Sequence, residues 1–391
     1  MSKEVTGYDA SRIQVLEGRE AVRKRPGMYI GSTSERGLQN LVFEVAGRAV
    51  NDVLAGRAGR VDTTLTPGGG VRVSDDGPGI PVEDSADAGG SGGPGLETLL
   101  TRMPTGMAPG GRHDVTLGYY GMAPFVANVL SSRLTAEVRR EGARWVQEYA
   151  RGVALTPLAQ AGRATGSGTT LVFWPDPDVF GTVQCSFDGL AERYRELAFL
   201  NRGLDISLTD ERRPARSRSA RFRFSGGVRD FVAFLDEQAE GLVPPDVLGF
   251  EREEPRMAGT MEVALRWCGS RQERVHSFAN CRPTPAGGTH TMGLRDGLAA
   301  AVNAYARERR LLTPADPDLS TDRIGEGLTA VVSVKLDHPE FEGAMRDRLG
   351  NTAVRACVGQ AVQEHLGQWL ERHPEQAAAV IGRITQGTRR D

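Results

Sequence analysis

Between Gly37 and Ala55 the apolar residues Leu38, Leu41, Val42, Val45, Ala49 and Val53 recur at spacings of three and four. That is the period of a helix with one buried face, and Gly56 supplies its stop signal. A shorter helical segment, Ser11 to Lys24, precedes it and is closed by Arg25-Pro26-Gly27. Beyond the long helix the pattern changes to β-type runs at Val61–Thr66 and Val71–Ser74, joined by a Pro67-Gly68-Gly69-Gly70 turn.

Residues 83–114 are dense in Gly, Ser, Pro and Asp around one short helix near Gly95–Arg102, the composition of a functional surface loop. A helix starts near Pro124, strands follow at Leu134–Glu137, Arg144–Tyr149 and Thr169–Trp174, and a helix spans Gly189–Asn201. The basic stretch from Arg212 to Arg218 reads as a solvated hairpin loop at a domain joint, with DNA contact as the competing reading. After it the pattern restarts: a helix at Gly227–Glu237, strands near Thr260–Trp267 and Arg274–Asn280, a helix at Thr289–Glu308, a strand at Leu328–Leu336, and a last long helix at Thr352–Glu371. Helices and strands alternate irregularly in both halves, which predicts an α+β fold twice over, with domains at 1–220 and 221–391, rather than a doubly wound sheet.

Composition narrows the function classes more than it names one. At 391 residues, 25% charged and with a formal net charge of −2, the chain lacks the basic excess of a dedicated DNA clamp. Lysine occurs only at 3, 24 and 335 among 48 basic residues, so an arginine at an expected lysine position carries less meaning than usual. Cys185, Cys268, Cys281 and Cys357 form no CxxC pair, which argues against a zinc site or disulfide framework and suits a reducing cytoplasm. No run approaches the 18 or so apolar residues of a membrane span. Phosphate loops of the Walker type, nucleophile elbows and kinase motifs are all absent, and there is no Gly-Lys pair.

Three local features could carry chemistry. The run Val73-Ser74-Asp75-Asp76-Gly77-Pro78-Gly79-Ile80-Pro81 sets two carboxylates at a strand end, beside a backbone that a flat ligand can approach closely. Read alone it is merely a tight turn. Gly166-Ser167-Gly168-Thr169 enters an apolar strand, and alone is a strand start. Glu44 lies on the flank of the helix stripe; an isolated Glu there is a solvated one unless the other two motifs close a pocket against it.

Taken together these residues resemble the GHKL ATPases, and among them the DNA gyrase B proteins. The resemblance rests on Tyr8-Asp9-Ala10-Ser11-Arg12-Ile13, the string from Glu20 to Gly31, Asp75-Asp76-Gly77-x-Gly79-Ile80-Pro81, Gly168-Thr169 and Phe173-Trp174-Pro175-Asp176. In the second half it rests on Gly287-Gly288-Thr289-His290 and the run Glu326 to Lys335. It implies a Bergerat-type α/β sandwich that binds ATP, followed by a transducer domain like domain 2 of ribosomal protein S5. It further implies Glu44 as general base, and Asp75, Gly79, Ile80, Arg140 and Thr169 as adenine-side residues. Gly118 and Gly121 fall in the phosphate lid, and Tyr8 and Ile13 in an arm exchanged within a homodimer. Gyrase subunits are the implied partners, with DNA engaged only indirectly and no membrane. No Toprim motif occurs, so the chain is not expected to cleave DNA alone.

The same resemblance exposes departures on the phosphate side. The family's Glu-x-x-Asp-Asn reads Glu44-Val45-Ala46-Gly47-Arg48 here, so the Mg²⁺-binding asparagine is Arg48, which has no lone pair to offer a metal. Asn51 lies roughly 4.5 Å further along the helix axis and is a poor substitute. Arg48 is also spaced for an ion pair with Glu44. The lid reads Leu117-Gly118-Tyr119-Tyr120-Gly121-Met122-Ala123-Pro124, losing N–H donors and gaining bulk, and the transducer Gln-Thr-Lys reads Ala344-Met345-Arg346. ATP binding with weak or lost hydrolysis and no firm Mg²⁺ site is the expectation; the alternatives are a non-catalytic dimerisation or regulatory protein, or a decaying paralogue.

Overall fold

The computed structural model describes residues 18–84, 94–103, 111–112, 115, 117, 123–237, 246–268, 272–343 and 346–386. The first half runs α1 (Gly18–Lys24), α2 (Gly27–Ile30), α3 (Glu35–Leu54), β1 (Val61–Leu65), β2 (Val71–Asp75), α4 (Leu96–Thr101), α5 (Ala123–Val129), β3 (Ser131–Arg140), β4 (Ala143–Ala150), β5 (Val153–Ala154), β6 (Ala159–Arg163), β7 (Gly168–Pro175), α6 (Pro177–Phe180), α7 (Phe187–Leu200), β8 (Ile206–Asp210) and β9 (Arg218–Phe222). Its nine strands form one sheet, ordered β5-β4-β3-β7-β2-β1-β8-β9, with β6 also paired to β4. Neighbours are antiparallel except β1 and β8, which run parallel across the α7 crossover. Residues alternate between buried and half-exposed along β2 and β3, the signature of a sheet covered on one face.

The cover is α3, α5 and α7. Helix α3 was expected to bury one stripe, yet Phe43, Glu44, Ala46, Gly47, Val50 and Asp52 are buried as well. The sheet holds one face of the helix; α5 and the segment carrying Val115 and Leu117 close over others. The stripe was therefore legible in the sequence, but the second covering layer was not.

The second half runs α8 (Val228–Glu237), β10 (Leu248–Glu254), β11 (Gly259–Trp267), β12 (Arg274–Ala279), β13 (Arg282–Pro283), α9 (Thr289–Glu308), α10 (Thr321–Gly325), β14 (Leu328–Leu336), β15 (Phe341–Glu342), β16 (Arg348–Leu349), α11 (Thr352–Arg372) and α12 (Pro374–Gln386). A five-stranded sheet, β10-β11-β14-β12-β13, is backed by α9 and α11 through a core that includes Leu294, Leu298, Val302, Val358, Val362 and Leu366. Thr352–Glu371 is not the last helix. His373 interrupts it, and α12 follows with Pro374 at its start, where the missing N–H costs nothing. Strand β10 also escaped the sequence reading: four of its seven residues are Glu or Arg, as suits an edge strand.

Side chains join the halves. Phe199 of α7 stacks on Phe224 at 3.8 Å and on Phe231 of α8 at 4.7 Å, and Phe231 approaches Phe278 of β12 at 6.0 Å. Lys335 Nζ donates to Asn201 Oδ1 at 2.9 Å, and Arg193 donates to the Cys281 carbonyl at 2.6 Å. Among the described residues no helix is long and apolar enough to cross a membrane.

Candidate functional site

The site is built where β2 ends beside the start of β7. Of the two adjacent carboxylates, Asp76 is consumed by the scaffold: its Oδ1 accepts from the Gly59 and Arg60 backbone N–H groups at 2.7 and 3.0 Å. Asp75 is oriented differently. Its Oδ1 accepts from Gly77 N at 2.9 Å and Thr169 N at 3.3 Å, and among the described residues none donates to Oδ2. Two backbone donors fix the side chain, and one oxygen remains for a ligand that brings its own hydrogen.

The glycines are required by close approach. Gly168 has φ +140°, and a Cβ there would stand 2.1 Å from the Asp75 carbonyl oxygen. Gly79 has φ +77°, and a Cβ would meet the Arg139 carbonyl at 2.8 Å. Backbone therefore packs on backbone, which only glycine permits. Ile80 N donates to Thr169 Oγ1 at 3.1 Å, and Arg140 Nη1 donates to the Gly79 carbonyl at 3.1 Å while Nε pairs with Glu141 at 2.9 Å. Asp75, Gly79, Ile80, Arg140 and Thr169 are thus brought together.

Burial raises the Asp75 pKa above the ordinary carboxylate value; the Gly77 and Thr169 N–H groups oppose that shift, Asp52 adds to it, and Arg48 opposes it. Arg48 is half-buried on α3, one helical turn beyond the buried Glu44. Asp52, another turn on, is held by Arg57 at 2.7 Å.

Asn51 has a role the sequence did not disclose. Its amide donates to the Val115 carbonyl at 3.2 Å and its Oδ1 accepts from Val115 N at 2.8 Å, so both ends clamp the glycine-rich segment onto α3. Arg112 was also missed. It pairs with Glu253 at 2.9 Å and Asp337 at 3.1 Å, tying that same segment to the second half. A lone arginine in a polar loop gives no sign of partners more than a hundred residues away. Arg346 stands in the turn between β15 and β16 with φ +53°. Tyr8, Ile13, Gly118, Gly121, Ala344 and Met345 lie outside the described residues. In the basic hairpin, Arg212 is spent on Asp210 and the Cys185 carbonyl, and Arg218 on Asp188 and the Phe187 ring.

This architecture is a known one. A crystal structure of the 43K ATPase domain of Thermus thermophilus gyrase B in complex with an aminocoumarin is similar at a TM-score of 0.78 and 32% identity, covering 95% of each chain. The chain belongs to the DNA gyrase B family. The family model for DNA gyrase B matches residues 227–391. The DNA gyrase B protein of Streptomyces coelicolor is 45% identical over 390 residues, 96% of this chain and 56% of that protein. The gyrase B protein of Myxococcus xanthus is similar at a TM-score of 0.74 and 25% identity, over 93% of this chain and 99% of that one. The chain thus spans little more than half the length of its curated gyrase B relative, and its α+β fold is that of the ATPase and transducer region.

At the position where the resemblance puts the Mg²⁺-binding asparagine, Arg48 offers donors only, and Asn51 has both ends of its amide engaged on Val115.

Proposed function

We propose that this chain is the nucleotide-binding module of a gyrase B-type DNA topoisomerase, holding ATP through Asp75 and hydrolysing it weakly or not at all. The observation that carries the reading is the Asp75 carboxylate, locked by two backbone N–H groups with one oxygen left to accept the adenine amino group. Gly79, Ile80, Arg140 and Thr169 frame the base. Glu44 takes the role of general base, and Arg346 takes the place of the transducer lysine. Gly118 and Gly121 belong to the phosphate lid.

The weakness lies on the phosphate side. A preorganised donor is commonly worth about 3 kcal/mol, or roughly 10²-fold in rate, so losing several leaves little turnover. Arg48 supplies a fixed positive charge where the family places a metal ligand, which favours binding of metal-free triphosphate. Residues 1–220, with the end of β9 to Phe222, form the ATPase-like unit, and the remainder to 391 the transducer. Two copies pair by exchange of the arm that carries Tyr8 and Ile13; gyrase subunits are the partners, DNA is engaged indirectly, and the setting is cytoplasmic.

Calorimetric titration with ATP, with Mg²⁺ and with a chelator, tests this. Binding is expected in both, with affinities within about threefold, while Arg48→Asn restores a Mg²⁺ requirement of about tenfold or more. Affinity that depends on Mg²⁺ in the native chain would overturn the role given to Arg48. Robust turnover abolished by Glu44→Ala would overturn the loss of hydrolysis. No binding of ATP in either condition would leave the alternative of a nucleotide-free dimerisation protein.

A further inference from the structure

A cavity in the second half is used by nothing in the nucleotide reading. It encloses about 310 Å³ between the start of α8, the residues leading into β10 and the last turns of α11, and Arg229, His365, Gln368, Trp369 and Arg372 contribute to its lining. That volume sits at the lower end of the range of roughly 300–1,000 Å³ typical of small-molecule sites.

Its walls are already fixed. The Trp369 indole stacks on His373 at 5.1 Å and 25°, and His373 Nδ1 lies 2.9 Å from the Trp369 carbonyl, which pins the imidazole. His365 lies flat on Phe250 at 4.1 Å and 12°. Arg229 is held by the Val247 carbonyl at 3.3 Å and by the Gly249 carbonyl. It crosses the strand where Gly249 has no side chain; a Cβ there would stand 2.7 Å from Arg229 Cγ. The rings and the Arg229 guanidinium are ordered by protein contacts, so a ligand would not bear the cost of ordering them.

The charge points to one kind of occupant. Arg229 and Arg372 outweigh Asp246, the acidic residue in the lining. Burial and neighbouring Arg252 lower the His365 pKa, with Glu364 acting the other way. Arg372, the last residue of α11, is exposed and keeps its planar fork for a carboxylate. A flat ring fits the Trp369–His373 wall, and an acidic group beside it meets a cation.

We propose that this cavity is a binding site for a small planar aromatic carboxylate, stacked on Trp369 and paired with Arg372. The site is distinct from the one at Asp75 and does not rest on the nucleotide reading.

Titration of the whole chain with 2-naphthoate, followed by calorimetry, is the test. One molecule binds per chain. Arg372→Ala and Trp369→Ala each weaken binding about tenfold or more, and the neutral amide of the same ring system binds at least about tenfold more weakly than the acid. Asp75→Asn leaves naphthoate affinity unchanged. Arg372 is exposed, so its truncation should preserve the melting transition and keep the test independent of folding. Three results would each overturn the proposal: no binding at millimolar naphthoate, affinity indifferent to Arg372→Ala, or affinity lost with Asp75→Asn.

Discussion

Replacing Asp75 by asparagine separates what this carboxylate does for the fold from what it does for a ligand. In the native chain Oδ1 accepts from Gly77 N and Thr169 N, at 2.9 and 3.3 Å. An amide oxygen accepts the same two bonds, so the turn and the start of β7 keep their staple. The exchange weakens charge-assisted bonds, but it also removes a charge that burial disfavours, as the raised pKa of Asp75 shows. These effects oppose each other, and the net stability change is expected to stay within about 1 kcal/mol. Truncation to alanine differs: it strands two buried N–H groups and should cost about 2–3 kcal/mol. The ligand side has no such cancellation. The second oxygen becomes an NH₂ group, which faces the adenine amino group donor to donor. One lost acceptor plus an unpaired donor amounts to about 3 kcal/mol, roughly 10²-fold in affinity. Urea denaturation and ATP titration on the same preparations read the two quantities separately. ATP affinity within about threefold of native in a folded Asp75→Asn variant would refute the assignment of this carboxylate to the adenine. The pH dependence has a definite sign. Because the folded-state pKa is raised, the protonated form gains stability at low pH, which is lost as pH rises through the folded value. Binding runs the opposite way, since the acceptor is the ionised group, and should weaken as pH falls through that same value.

Two further outcomes follow from the same geometry. Gly168→Ala would set a Cβ 2.1 Å from the Asp75 carbonyl at φ +140°; a loss of about 2–4 kcal/mol in denaturant unfolding is expected, and a variant as stable as the native chain would show that the approach of β7 to β2 is not that close. His290 is fully buried, with Nε2 at 3.0 Å from Thr284 Oγ1, and burial pushes its pKa down to about 4. The unfolded chain therefore takes up a proton that the folded chain refuses, so stability is full above about pH 6.5 and falls toward pH 4, by about 2 kcal/mol near pH 5. Unfolding curves at pH 7.5 and about pH 5 for the native chain and His290→Gln should differ in this increment, and equal losses would assign the acid sensitivity elsewhere.

Local sequence determined the elements whose period is unambiguous. The helix Thr289–Glu308 and the strand Leu328–Leu336 have the ends expected from their patterns, because each is bounded by turn-forming residues and carries one clear periodicity. The Asp-Asp-Gly-x-Gly turn and the glycines at 79 and 168 were visible for the same reason: backbone close approach leaves its mark on residue type. What a side chain does at long range leaves no such mark. Asp75 and Asp76 are identical neighbours, and only the packing of β2 against the Gly59–Arg60 backbone on one side and Thr169 on the other makes one a staple and one an acceptor. Asn51 was weighed only as a poor substitute for the metal-binding asparagine, and the segment at Val115 laid across α3 engages both ends of its amide. Arg48 was read against Glu44 on its own helix, and the fold also sets its charge against Asp75, on another element. Hydrophobic period and turn chemistry are properties of a few consecutive residues, so the sequence alone contained them. The division of labour among carboxylates, amides and guanidinium groups depends on which distant backbone arrives beside them, and tertiary structure decided that.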